Sequence, residues 1–262
     1  GTEKENFSTL MASSNTVATN SNLYWFWANA YTQIAKYNTF LDNIGNCPMD
    51  DVKKVAWSSE VKCLRAYFLF NLAFYYKDVP MPLTTLSVEE ANSISQTSQA
   101  DVYTQVENDL KDAIDILPPE YPSEEYGRFT RGAAKTLLSR LYLAQERWDD
   151  AAKILKEVID SEIYELDRRN GEESYDKLFQ IGGEYSPEMI FCIMGVKDMY
   201  TNSRYQYLYP EAAYGGWHQF SPYNELVKEY FCIDGKLRKF MTKMTLMSIV
   251  IYVCTLLYSC HR

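Results

Sequence analysis

The strongest candidates for chemistry are aromatic and polar side chains that lie close together in residues 197–223. Flat indole and phenol rings can stack on the apolar C–H faces of a sugar, while amide, guanidinium and imidazole groups can hydrogen-bond its hydroxyls. The segment supplies both kinds of group, and one tryptophan near the start of the chain adds a further ring. The candidate ligand-binding residues are Trp217, His218, Tyr205, Tyr207, Tyr214, Asn202, Arg204 and Trp25.

The same rings also have a structural interpretation, in which they pack the segment onto neighbouring helices. For the tryptophans near the N-terminus, helical periodicity separates the two possibilities. Trp27 falls on the apolar stripe that continues through Ala30 and Ile34, so we expect it in the core. Trp25 falls off that stripe and is expected to border a site. Trp148 matches a packing position of a helical repeat and is expected to be buried.

Catalytic and metal-binding patterns are weak. Six cysteines without a C-x-x-C pair and two histidines argue against a zinc site. The sequence has no Gly-x-Ser-x-Gly, no phosphate-binding glycine loop and no H-E-x-x-H. The adjacent pairs Glu124-Glu125 and Glu172-Glu173 suit solvated loops better than glycoside hydrolysis. We predict no catalytic residue, no metal and no cofactor.

Composition and charge exclude further classes of protein. The 262 residues carry 26 basic and 35 acidic side chains, a formal net charge of −9, so non-specific nucleic-acid binding is a poor fit. Hydrophobic residues make up 47% of the chain, which is enough for a folded core. The N-terminal residues resemble no signal peptide, which leaves a cytoplasmic protein or a missing true N-terminus as alternatives.

The elements that must position these side chains are mostly helical. Apolar residues recur at helical spacing over 23–44, 58–76, 99–117, 130–145 and 148–161. The last two resemble a tetratricopeptide helix pair. The sequence therefore predicts a mainly α fold of tetratricopeptide-like helix pairs, a right-handed helical scaffold with long irregular loops and little strand. Residues 84–99 are predicted as a polar connector and 188–195 as a candidate strand.

Several blocks of the chain resemble the SusD/RagB family of Bacteroidetes. Residues 60–72 fit the pattern E-x-K-x-L-R-A-x-x-x-F-x-L, followed by an exit similar to Y-G-D-V-P. Lys77 departs from that exit, where the family often has glycine. Residues 127–143 are similar to the family's block G-R-x-T-x-G-A-A, and three shorter blocks agree in order. The shorter blocks are 31–41, 186–191 and 234–236.

The resemblance implies that residues 1–236 form part of a SusD-like domain, with helix pairs over about 23–161 and a loop-rich, ligand-facing region over about 165–236. It implies a surface-exposed lipoprotein of the cell outer membrane whose signal peptide and lipidated cysteine lie before Gly1. Such a protein binds glycan, or peptide in some members, without catalysis and delivers it to a SusC-like TonB-dependent transporter. Ligand residues vary within the family, so none is carried over by motif.

The tail, residues 237–262, is hydrophobic and unlike the rest of the chain. Read two nucleotides later, its degenerate codons can encode a block similar to one that the family carries after its D-G-K turn. This favours a frameshift near Lys236. A membrane helix over 244–260 and a buried core helix are the alternatives.

Two other function classes compete with glycan binding. A tetratricopeptide-type scaffold would bind a protein or peptide in a groove lined by helix side chains. A glycoside hydrolase would need two facing carboxylates about 5–10 Å apart.

Overall fold

The computed structural model describes residues 21–178 and 182–192, and this part of the chain is mostly helical. The chain divides into two compact units, Gly1–Ile163 and Tyr164–Arg262, which are described separately. The predicted mainly α, tetratricopeptide-like fold is confirmed. The helices in the described part of the first unit are α1 (Ser21–Asn43), α2 (Asp51–Tyr76), α3 (Val88–Ser93), α4 (Gln99–Ile116), α5 (Arg131–Ala144) and α6 (Trp148–Ile159).

Helices α1 and α2 form an antiparallel pair. The ring of Phe26, near the start of α1, lies 5.8 Å from Tyr75 at the end of α2. Further along, the rings of Tyr37 and Phe68 lie 6.0 Å apart. Helix α2 begins seven residues earlier than the predicted start at residue 58, because the Asp50 side chain caps its first turn.

The remaining helices of the first unit pack in chain order, α4 on α2, α5 on α4 and α6 on α5. Side-chain caps start two of them, Ser98 for α4 and Thr130 for α5. Their buried faces repeat at helical spacing, as predicted, and form one core with α1 and α2. Fully buried members of that core include Ile34, Leu69, Leu72, Val106, Leu110, Leu138 and Leu141.

A buried polar network connects three of the helices. The Arg65 guanidinium of α2 donates to Asp109 of α4 at 3.1 Å and to the Asn38 side-chain oxygen of α1 at 3.0 Å. Arg65 also donates to the carbonyl of Leu83. All three side chains are at least nine-tenths buried, so the ion pair is shielded from water. The network fixes the spacing of α1, α2 and α4.

The segment over residues 80–85 is a strap that crosses these helices. The Asn38 amide donates to the carbonyls of Pro82 and Thr84, at 3.0 and 2.9 Å. The Tyr31 hydroxyl donates to the carbonyl of Pro80 at 2.7 Å. Side chains therefore satisfy backbone groups that a neighbouring strand would otherwise have to satisfy.

The predicted polar connector over 84–99 contains a helix, α3. Ser87 caps it, and the Glu90 side chain accepts from the Ser87 backbone N–H, which completes a capping box. The reciprocal pair stabilises a helix that buries none of its residues. Composition alone suggested a loop here, but the Ser-x-x-Glu spacing is the local signal for a helix start.

Helix α2 ends in an unusual backbone conformation. Lys77 has φ 69° and ψ −111°, and its N–H donates to the carbonyl of Ala73. A positive φ is costly for a residue with a Cβ and free of that cost for glycine. The position where the sequence departs from the family pattern is therefore one where the backbone favours the family's glycine.

Two other expectations are wrong. Trp148 is 61% exposed, because α6 packs through Ala151 and Val158 and leaves its first residue outside the interface. The described part of the candidate strand, residues 188–192, forms no strand. The Met189 N–H closes a turn to the carbonyl of Ser186 there, and the described residues offer no neighbouring strand with which this apolar run could pair.

The described part of the second unit contains α7 (Ser174–Lys177) and short turns. The Asp167 carboxylate accepts hydrogen bonds from Arg169 and Ser186, which fix a turn. Within the described ranges no helix has both the length and the apolar character to cross a membrane. The hydrophobic tail, including the predicted boundary at 236/237, lies outside those ranges.

Candidate functional site

Most of the predicted ligand residues fall in a part of the chain that the structure does not describe. These are Asn202, Arg204, Tyr205, Tyr207, Tyr214, Trp217 and His218. Trp25 is described, and it is 50% exposed near the start of α1. Trp27, which lies on the predicted core stripe, packs against Tyr31 and Tyr76, with ring centroids 4.9 and 5.1 Å apart.

Trp25 is one of four exposed rings at the same end of the α1–α2 pair. Tyr24 is 71% exposed on α1, and Phe74 and Tyr75 are 46% and 56% exposed on the last turn of α2. We call these four rings the aromatic patch. So many exposed rings on two adjacent helix ends are unusual for a soluble surface and typical of a binding surface.

A second layer of rings supports the aromatic patch. Phe26 stacks beside Tyr76 at 6.2 Å and meets Tyr75 edge-on at 5.8 Å. The Tyr76 hydroxyl donates to the carbonyl of Leu23 at 2.7 Å. These contacts join the two helix ends, so the exposed rings stand on a packed base.

The helix segments that carry the aromatic patch have no charged residue. Residues 21–35 and 66–76 contain no Asp, Glu, Lys or Arg. Burial raises the pKa of the Tyr31 and Tyr76 hydroxyls, so both stay neutral hydrogen-bond donors at physiological pH. Both hydroxyls already donate to backbone carbonyls, so the exposed rings are what the patch offers to the apolar face of a ligand.

Sequence reasoning found one member of the aromatic patch and missed others. Tyr75 lies on a helix that is apolar nearly all round, yet it is more than half exposed. The last turn of a helix often extends past its partner, and Tyr75 and Phe74 lie on that turn. Their place at the same end of the helix pair as Trp25 follows from the antiparallel pairing of α1 and α2, which spacing alone did not indicate.

A cavity of about 590 Å³ opens at the opposite end of the pair. Phe40, Val61 and Leu64 line its apolar part. Trp57, Glu60, Glu124, Glu125, Tyr126 and Arg128 complete the lining. We call it the Trp57–Arg128 groove. No local sequence pattern indicates this groove, because it joins α1 and α2 to a turn more than 50 residues further on.

Arg128 organises the Trp57–Arg128 groove. Its guanidinium pairs with the carboxylates of Glu60 and Glu125 and lies 4.4 Å over the Tyr121 ring. The Tyr121 hydroxyl donates to Glu60 at 3.1 Å. Burial, together with the Glu60 charge, raises the pKa of Tyr121, so its hydroxyl stays protonated.

The described residues give little support for catalysis or metal binding. No group of three His, Cys, Asp or Glu side chains among them could hold a metal ion. Glu124 and Glu125 are exposed on a short turn, and Glu125 is paired with Arg128. Glu173 is also exposed. The absence of a metal, a cofactor and a catalytic residue stays a prediction for the chain as a whole.

Comparison with known proteins gives consistent matches. The SusD-like family model described as "Starch-binding associating with outer membrane" matches residues 2–143. SusD-like protein P25 of Formosa agariphila is 25% identical over 174 residues, which cover 66% of this chain and 32% of the relative. SusD-like protein P2 of the same organism is 27% identical over 138 residues, 52% of this chain and 27% of that relative.

Solved structures match as well. A SusD-like carbohydrate binding protein from Bacteroides fragilis has a TM-score of 0.78 and 28% identity, and the match covers 87% of this chain and 44% of that one. A laminarin binding SusD-like protein has a TM-score of 0.60 and 31% identity, with 66% and 38% covered. The chain spans about a third or less of the curated relatives it matches and under half of these structures.

Proposed function

The chain belongs to the SusD-like family, and on that premise we propose that it binds glycan at the bacterial cell surface and delivers it to a transporter for nutrient uptake. The proposed partner is a SusC-like TonB-dependent transporter in the outer membrane. The proposed location is the outer face of that membrane, through an N-terminal lipid. The proposed role is capture and transfer, without catalysis.

The aromatic patch is the observation that carries this proposal. Its exposed rings, on an uncharged and packed base, suit the apolar faces of sugar rings. One structural neighbour is a laminarin binding SusD-like protein, which supports glycan as the ligand class. Within the aromatic patch we assign stacking to Trp25 and Tyr75.

The loop residues singled out in the sequence remain proposed ligand contacts in their own segment. They are Asn202, Arg204, Tyr205, Tyr207, Tyr214, Trp217 and His218. A non-enzymatic role is supported by the state of the described carboxylates near aromatic rings. Glu60 and Glu125 are both held by Arg128, which leaves neither free to act as an acid or a nucleophile.

Binding isotherms against neutral oligosaccharides test the proposal. Trp25→Ala and Tyr75→Ala are each expected to weaken binding about tenfold, because each removes a stacking ring. Trp148→Ala is the matched control, since Trp148 is 61% exposed on α6, away from the aromatic patch. Its affinity should match that of the unaltered chain.

Two results would contradict the proposal. If the intact protein binds no glycan but binds a peptide, the tetratricopeptide-type scaffold becomes the better interpretation. If it cleaves an oligosaccharide on prolonged incubation, a glycoside hydrolase becomes the better interpretation. Delivery is tested separately, by asking whether the full-length lipoprotein co-purifies with a TonB-dependent transporter from outer membranes.

A further inference from the structure

The Trp57–Arg128 groove lies far from the aromatic patch on the same helix pair. Phe40 is close to the end of α1 and Trp57 is close to the start of α2, whereas the aromatic patch occupies the other two ends. Because α1 and α2 run antiparallel, a ligand in one place does not block the other. The groove can therefore have a function of its own.

Trp57 is the principal feature of the Trp57–Arg128 groove. Its side chain is 39% exposed and lines both the cavity of about 590 Å³ and a second cavity of about 190 Å³. A tryptophan in this position offers ring surface that the core does not use. The larger cavity is an open depression of the surface, so a ligand can reach the Trp57 ring directly from solvent.

The polar side of the Trp57–Arg128 groove is organised before any ligand arrives. The Arg128 Nε donates to Glu60 at 3.3 Å, and its two terminal nitrogens pair with Glu60 and Glu125. The guanidinium also lies over two rings, Tyr121 at 4.4 Å and Trp57 at 5.9 Å. A site whose side chains are already ordered loses less entropy on binding.

The charge of the Trp57–Arg128 groove selects between ligand classes. Glu60, Glu124 and Glu125 line the larger cavity against one guanidinium, that of Arg128, and Lys53 lines the smaller cavity. The excess of carboxylates repels an anion. Glu60 already accepts hydrogen bonds from Arg128, from Tyr121 and from a backbone N–H. Glu124 and Glu125 keep lone pairs that can accept hydrogen bonds from hydroxyl groups.

We propose that the Trp57–Arg128 groove is a second sugar site, which stacks a neutral sugar ring on Trp57, takes its hydroxyls on Glu124 and Glu125, and rejects acidic sugars. This inference rests on the proposed glycan-binding function and adds a subsite and a ligand charge to it. Glu124 is exposed on the rim and forms no ion pair with any cation in the described part of the chain, so it is the residue that sets the charge preference.

Fluorine NMR on the full chain tests the site directly. The sequence has five tryptophans, so 5-fluorotryptophan labelling gives few resonances, and Trp→Phe variants assign them. Laminarihexaose and maltohexaose are the neutral probes, and hexagalacturonate is the anionic probe. A neutral probe should shift the Trp57 resonance in a saturable way, while Trp148 stays fixed. The anionic probe should bind at Trp57 at least about tenfold more weakly at 0.1 M salt.

Glu124→Lys tests the charge argument. Reversing one exposed rim charge should strengthen hexagalacturonate binding at Trp57 about fivefold, and change neutral binding by less than twofold. Raising the salt to about 1 M should narrow the difference between the probes, because charges are then screened within a few ångströms. In Trp57→Ala, native mass spectrometry should count one bound neutral hexaose fewer per chain.

The outcomes separate the two proposals. If a neutral probe shifts Trp25 and leaves Trp57 unchanged, the proposed function stands and the second site is overturned. If no probe binds and no tryptophan shifts, both fail. If hexagalacturonate binds at Trp57 as tightly as laminarihexaose, the preference for neutral sugars is overturned. If Trp57→Ala loses its native circular dichroism, the variant does not fold. The shift of the Trp57 fluorine resonance in the unaltered chain then decides whether the second sugar site exists.

Discussion

The aromatic patch and the Trp57–Arg128 groove lie at opposite ends of one helix pair, and different forces hold their rings. At the aromatic patch, rings pack on rings, and a tyrosine hydroxyl reaches a backbone carbonyl. In the groove, a guanidinium with two carboxylate partners lies over Tyr121 and Trp57. The same residue types therefore serve two kinds of surface, one uncharged and one charged.

The difference teaches how each surface should respond to its environment. Ring packing is governed by apolar burial, which salt and moderate acid change little. Ion pairs at partly exposed positions are weakened by salt and lost when their carboxylates are protonated. The two ends can therefore be perturbed one at a time, or together through the buried network that lies between them.

The largest effect is expected from Arg65→Met, which would disturb both ends. It leaves the Asp109 carboxylate buried without its cation, and such a loss costs about 3–5 kcal/mol of unfolding free energy. Urea denaturation measures it. Arg65→Met with Asp109→Leu is the control, because it removes both charges and should recover much of the loss. A cost below about 1 kcal/mol for the single variant would contradict the shielding of this pair.

The next effect separates the two ends. Arg128→Met should lower the unfolding free energy by about 2 kcal/mol, because the Glu60 carboxylate is left partly buried without its cation. The fluorine resonance of Trp57 should move while that of Trp25 stays. Lys156→Met is the matched control, since its pair with Asp160 is exposed and worth about 0.5 kcal/mol or less. Equal costs for the two variants would show that Arg128 is no more than a surface ion pair.

Low pH tests how sensitive ion pairs are to acid at Glu107, a carboxylate outside both the aromatic patch and the Trp57–Arg128 groove. Burial opposes its ionisation, but hydrogen bonds from Arg147, Lys111 and Tyr142 outweigh burial and lower its pKa. A lowered pKa means that the ionised form stabilises the fold. That contribution is complete above the ordinary value of about 4.5 and is lost as the pH falls through the lowered value.

Between about pH 6 and pH 3, the unfolding free energy of Glu107→Gln should therefore fall by about 1 kcal/mol less than that of the unaltered chain. Urea denaturation at each pH measures the difference. Glu89→Gln is the control, because Glu89 is exposed on α3 and caps nothing. Its curve should run parallel to that of the unaltered chain. If the curve of Glu107→Gln also runs parallel to that of the unaltered chain, the ion pairs of Glu107 do not contribute to the acid sensitivity of the fold.

The smallest effect is expected beside the aromatic patch. Lys77→Gly should stabilise the fold by about 0.5–1 kcal/mol, because relief of the strained backbone exceeds the entropy that glycine adds to the unfolded chain. Thermal unfolding measures it. Lys77→Ala keeps the Cβ and should give no gain, so a gain there would assign the effect to the lysine side chain.

The helices were predictable where their apolar residues repeat and where helix-stopping residues bound them. The boundaries of α4 and α5 lie within one residue of the prediction, because Ser98 and Thr130 cap the first turns and prolines follow α4. Helix α3 was missed, since it buries nothing and depends on the Ser87 capping box alone. Trp148 was misplaced, because a repeat pattern does not say where a solenoid interface ends.

The site was partly predictable for a related reason. Periodicity placed Trp25 off the buried stripe of α1, and the structure shows it half exposed. It did not place Tyr75 beside α1, because that neighbour comes from a different helix. The Trp57–Arg128 groove depends on Arg128 meeting Glu60 across 68 residues of sequence. Local patterns carry no information about such contacts.

The strap over residues 80–85 has a consequence for handling this protein. Its carbonyls are bound by side chains of Tyr31, Asn38 and Arg65, so the strap acts as a structural layer although it has no regular structure. An insertion or a cut there would release the buried ion pair along with the chain. An affinity tag or dye should therefore be placed away from residues 80–85.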